Sequence, residues 1–166
     1  MLEALLRARP ELRPEAERIA REQLADTNRE TVAEELEWTL RSLSSAELHG
    51  RAGRQRWGYV EPTEAAWELL RESVETYDRE IERLRALGMT GAAIETALGV
   101  LAGLYRCRGC DDSESLLSWA PDFPVEAAGS VTDALAKAGI EVPPESVADA
   151  AQEWADALTR SSRASE

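Results

Sequence analysis

The chain carries one histidine, one phenylalanine, two cysteines and a single lysine, Lys137, among 166 residues. Each scarcity removes a class of chemistry. With His49 alone, few serine or cysteine triads can be built, and no Gly-x-Ser-x-Gly elbow exists to seat a nucleophile. No Glu-x-x-His recurs, which argues against a di-iron bundle site, and the missing Gly-x-x-x-x-Gly-Lys removes a P-loop. No segment alternates with period two beyond a few residues, so no sheet is expected. The longest apolar run, "ALGVLAGLY" at 97–105, reaches less than half a bilayer as helix. The Met1 end lacks the charged and apolar regions of a signal peptide. The expectation is a soluble, cytoplasmic protein with no membrane partner.

Charge is abundant and lopsided. The formal net charge is −13, and the acidic excess is concentrated after residue 110. Such a field repels phosphate backbones at long range, so no nucleic acid is expected as a partner. Apolar residues make up 43% and recur at helical spacing almost throughout, which identifies a folded chain rather than a disordered one.

That spacing predicts an all-α fold, an irregular helical-hairpin bundle or short α-α stack of about seven to nine helices. One domain is expected over 1–160, with 161–166 as a frayed tail. Leu2, Leu5 and Leu6 suggest a short first helix ending near Pro10, and Pro14 opens a second. Thr27–Glu30 and Ser44–Glu47 both have the form of capping boxes. The helix between them should bury Val32, Leu36, Leu40 and Leu43. Pro62 suits a first helical turn. Trp67, Leu70, Val74, Tyr77, Ile81 and Leu84 then draw one narrow seam that ends at Gly88. Glu75 with Arg79, and Glu80 with Arg83, can pair along this helix. The next helix, about Thr90–Arg106, is apolar around more than half its circumference and should be the central buried one. Two more are expected at about Pro124–Ala138 and Pro144–Arg160.

Cys107 and Cys110 lie two residues apart in "CRGC". Zinc needs four ligands, and the chain offers His49 and the Asp111–Asp112 pair as the remaining candidates. Redox cysteines sit at helix N-termini, where the dipole favours thiolate, whereas Cys107 falls at a helix C-terminus. The pair reads as two reduced thiols closing a helix, with no metal and no cofactor.

Three other places invite a functional reading. "HGRAGRQRWGY" at 49–59 concentrates arginine in an acidic chain, and Arg54, Arg56 and Trp57 could bind an anionic ligand, since guanidinium forks suit phosphate and carboxylate. The same arginines could instead pair with neighbouring acids. Glu95 is the only acid in the apolar Thr90–Arg106 helix. It could line a ligand site, or it could reach solvent or meet an arginine. Gly99 and Gly103 share its side of that helix, a spacing that admits another backbone or leaves a crevice. Trp38 is turned away from Leu36 and Leu40, toward Glu34, Glu37 and Arg41, which makes it a candidate contact residue on an interaction surface.

"RWGYVEPTEAAWELL" (56–70) and "WAPDFPVEAA" (119–128) resemble stretches of a group of uncharacterised bacterial all-helical proteins. The resemblance implies a bacterial cytoplasmic protein of helical fold and carries no activity or site residues. Many helix faces without a catalytic constellation lead to an expected function: a non-enzymatic helical interaction module whose partner is another protein or itself, as a homodimer. The alternative is a small-ligand-binding protein or unrecognised enzyme, with a pocket between the Thr90–Arg106 helix and the 49–59 loop.

Overall fold

The computed structural model describes residues 9–12, 14–15, 18–19, 27–56, 58–110, 112–156 and 158. Six α-helices form among them: α1 (Arg29–Ser42), α2 (Ser45–Arg51), α3 (Pro62–Ala86), α4 (Thr90–Arg106), α5 (Phe123–Lys137) and α6 (Pro144–Ala151). The expected seven to nine is therefore too many for the described residues. The expected first helix lies outside them, as does most of the second.

A short antiparallel hairpin, β1 (Gly53–Gln55) with β2 (Gly58–Val60), corrects the expectation of no sheet. Three residues per strand are too few for an alternating pattern to register in the sequence. Gly53, at φ +91°, takes a conformation that side chains rarely adopt and turns the chain out of α2 into β1.

α4 is the axis of the fold. Twelve of its residues are buried, including the run from Thr96 to Tyr105, and α1, α3, α5 and α6 all pack on it. One hydrophobic cluster joins all six helices. Within it Leu36 and Leu40 of α1, Leu70 and Leu84 of α3, Leu98 and Leu101 of α4, and Phe123 of α5 are almost wholly removed from water. Burying each such side chain contributes about 1.5–3 kcal/mol.

Local chemistry sets the helix ends. α1 starts one residue later than its capping box suggests: the Asn28 carboxamide oxygen, not Thr27, accepts from the amides of Glu30 (2.9 Å) and Thr31 (3.4 Å). At α2 the Glu47 carboxylate accepts from the Ser44 amide at 2.8 Å, as the capping pattern requires. α3 ends in a Schellman turn, with Gly88 left-handed at φ +73° and the Met89 amide donating to the Leu84 carbonyl.

The buried face of α3 departs from the expected seam and takes in Ala65, Ala66 and Leu69 as well. Leu70, Val74, Ile81 and Leu84 are buried, while Trp67 and Tyr77 are half-buried at its margins. Glu80 and Arg83 pair at 2.6 Å. Arg79 does not meet the Glu75 carboxylate: it donates to that residue's backbone carbonyl at 3.2 Å. α6 ends at Ala151, residues 155, 156 and 158 are helical again beyond a 3₁₀ turn, and the expected end at Arg160 lies outside the described residues. That turn, Gln152–Trp154, sets Trp154 edge-on against Tyr105 at 5.1 Å. No helix among the described residues is long and apolar enough to cross a membrane.

Candidate functional site

α1 and α4 meet in a close joint, and glycine makes it. A Cβ at Gly99 would stand 2.6 Å from the Val32 Cβ and 2.7 Å from the Arg29 carbonyl oxygen. One turn on, a Cβ at Gly103 would stand 2.9 Å from the Ala33 carbonyl oxygen. The pair is thus the floor for another backbone, not a crevice. Partners rise together along both helices, Val32 with Gly99 and Ala33 with Gly103, so α1 and α4 run parallel.

Ion pairs flank this joint. Arg29 forks onto the Glu95 carboxylate with two contacts of 3.2 Å, and Arg106 reaches both Glu30 oxygens at 2.8 Å. Arg41 donates to the Arg106 carbonyl at 2.8 Å while pairing with Glu37 at 3.1 Å. These groups are partly exposed, and such pairs contribute about 0–1 kcal/mol each. Backbone proximity and the buried Leu36 and Leu40 hold the joint, and the ion pairs border it.

The consequence lies on the outer face of α1. Trp38 is 72% exposed, the most open large apolar side chain among the described residues, although Leu36 and Leu40 on either side are fully buried. Glu34, Glu35 and Arg41 lie within one helical turn of it and are exposed as well. The arrangement presents a flat aromatic ring on a helix that cannot easily shift.

The structure separates the other residues singled out in the sequence. Glu95 sits in the α1–α4 joint, bonded to Arg29. Arg54 is on β1 and Arg56 follows it; both are exposed, and neither forms an ion pair among the described residues. Trp57 lies outside those residues. His49 is exposed on α2, its Nδ1 2.5 Å from the Ser45 carbonyl oxygen.

Cys107 is 1% exposed at the end of α4, and burial pushes its thiol up to about 12, against the opposing charge of Arg41. Such a thiol stays protonated and unreactive at neutral pH. Cys110 is half-buried, and its sulfur lies 4.0 Å from an Arg41 nitrogen. Both thiols are free.

A cleft of about 510 Å³ opens between α4, α5 and the start of α6, with walls that include Leu98, Leu101, Leu135, Ile140 and Val147. Arg54, Arg56 and Glu95 are not part of it. Its polar side chains, Thr132 and Glu141, do not converge: the Thr132 hydroxyl is occupied by the Ala128 and Gly129 carbonyls of its own helix. The cleft can shelter apolar surface but offers no paired acid and base. The signal for it in the sequence was the break "GIEVPP" at 139–144, which parts α5 from α6.

The chain matches no protein-family model, no curated protein and no solved structure.

Proposed function

We propose that this protein is a non-enzymatic helical interaction module that presents Trp38 on α1 to another protein or to a second copy of itself. It would act in the cytoplasm of a bacterial cell. One observation carries this reading: Trp38 is 72% exposed on a helix whose buried face packs closely on Gly99 and Gly103 of α4. An open tryptophan on a rigid element is favourable for binding, because little ordering entropy is lost when it is covered. A second reading, a small-ligand protein, draws on the 510 Å³ cleft, a size typical of ligand pockets.

Sedimentation of the wild type and of Trp38→Ala tests the self-association arm. If a second copy is the partner, the wild type forms dimers with rising concentration and the variant stays monomeric at an unchanged melting midpoint. Dimers that persist unaltered in Trp38→Ala contradict a role for this face in self-association.

A further inference from the structure

α3 and α5 leave a groove of about 370 Å³ between them. Its floor is apolar: Trp67 meets Phe123 edge to face at 5.2 Å, with Val74 and Val131 beside them. Its rim is acidic. Glu75, Asp78 and Glu126 border it against one cation, Arg71, and none of the four side chains forms a hydrogen bond or ion pair among the described residues. On the same helix Glu72, Glu80 and Glu82 each hold an arginine, whereas the exposed Glu64 and Glu68, like the groove acids, form no ion pair among the described residues.

Asp78 is the central feature. It lines both this groove and the narrower cleft that continues toward Ile81 and Arg85, where Glu82 and Arg85 satisfy one another. Its carboxyl is held above the ordinary aspartate range by burial and, secondarily, by Glu75. A carboxylate kept half-buried beside another, with no cation to offset it, is a cost that a bound positive charge would remove.

We propose that the α3–α5 groove docks a lysine- or arginine-bearing helix of a protein partner, its apolar face on Trp67 and Phe123 and its cations on Asp78, Glu75 and Glu126. From Trp67 to Arg85 the two clefts follow about 27 Å of α3, the length of a helix of about eighteen residues. Charge complementarity selects the partner. None of the lining residues belongs to α1, so this surface stands apart from Trp38 and survives or fails without it.

The test uses the full chain, isotopically labelled for nuclear magnetic resonance. The probe is a synthetic amphipathic leucine–lysine peptide about eighteen residues long, and a twin carrying glutamate for lysine is the control. Binding of the lysine peptide should perturb amides of α3 and α5. Asp78→Asn with Glu126→Gln should weaken it about ten-fold. Removing the same charge elsewhere, with Glu141→Gln and Glu145→Gln, should change it by less than about two-fold. The proposal is overturned by any of four results: no binding at low ionic strength, equal weakening by both double variants, equal binding of the glutamate twin, or perturbations centred outside the groove. Free arginine binding as tightly as the peptide would also overturn it, since the site would then be one for a small cation.

Discussion

Gly99 and Val32 approach so closely that a methyl group on residue 99 would sit 2.6 Å from the Val32 Cβ, with the Arg29 carbonyl oxygen no farther off than 2.7 Å. Backbone cannot yield as a flexible side chain does, so the whole of α1 would have to move. Gly99→Ala should lower stability by about 1–3 kcal/mol despite alanine's better helix propensity. Gly129, inside α5, has nothing within 4 Å of the same position, and Gly129→Ala should instead gain about 0.5–1 kcal/mol. Chemical denaturation of both variants checks the contrast. Equal and opposite signs to these would mean that α1 does not rest on Gly99.

Much of this joint was legible in advance. The Gly99–Gly103 spacing marked one side of α4 as open to a backbone, and the apolar circumference of α4 placed it at the centre. Glu95 meeting an arginine was one of the readings left open. What could not be read was the partner: Val32 and Arg29 are more than sixty residues from Gly99, and periodicity reports which face is buried, not what buries it. The α3–α5 groove was hidden for the same reason. Trp67 read as one more seam residue, while its half-exposure depends on how far α5 stands from α3. The β1–β2 hairpin escaped because its strands are too short to show alternation.

The two thiols should behave differently. Cys107→Ser puts a hydroxyl into the core in place of an apolar thiol and should cost about 1–3 kcal/mol, whereas Cys110→Ser should cost under about 0.5 kcal/mol. Thiol titration of the native protein should label Cys110 first and Cys107 only as the fold opens. Because the folded Cys107 thiol keeps its proton up to about 12 while an unfolded one ionises near 9.0, its contribution to stability is complete below pH 9 and is lost between those values. Cys107→Ala should flatten that alkaline decline. Fast labelling of Cys107 in the native state would contradict its burial.

Asp78 supplies an acid-side counterpart. Its folded carboxyl binds a proton more tightly than an unfolded aspartate, whose ordinary value is 3.8. The stability this adds is complete below that value and is lost as pH rises through the folded one. At neutral pH the charged Asp78 is a burden, so Asp78→Asn should raise the melting midpoint there, and the gain should vanish in acid. A lower midpoint at pH 7 would mean that the carboxylate has a stabilising partner after all.

The measurement that bears most directly on the proposed function is site-specific photo-crosslinking in the source cell. A photoreactive phenylalanine analogue replaces Trp38 in one strain and Thr39, the adjacent half-buried residue bonded to the Glu35 carbonyl, in another. The expected result is a discrete adduct from position 38, of a second protein or of a second copy of this chain, and none from position 39. An interaction face on α1 is contradicted if position 38 yields no adduct, or only the same diffuse labelling as position 39.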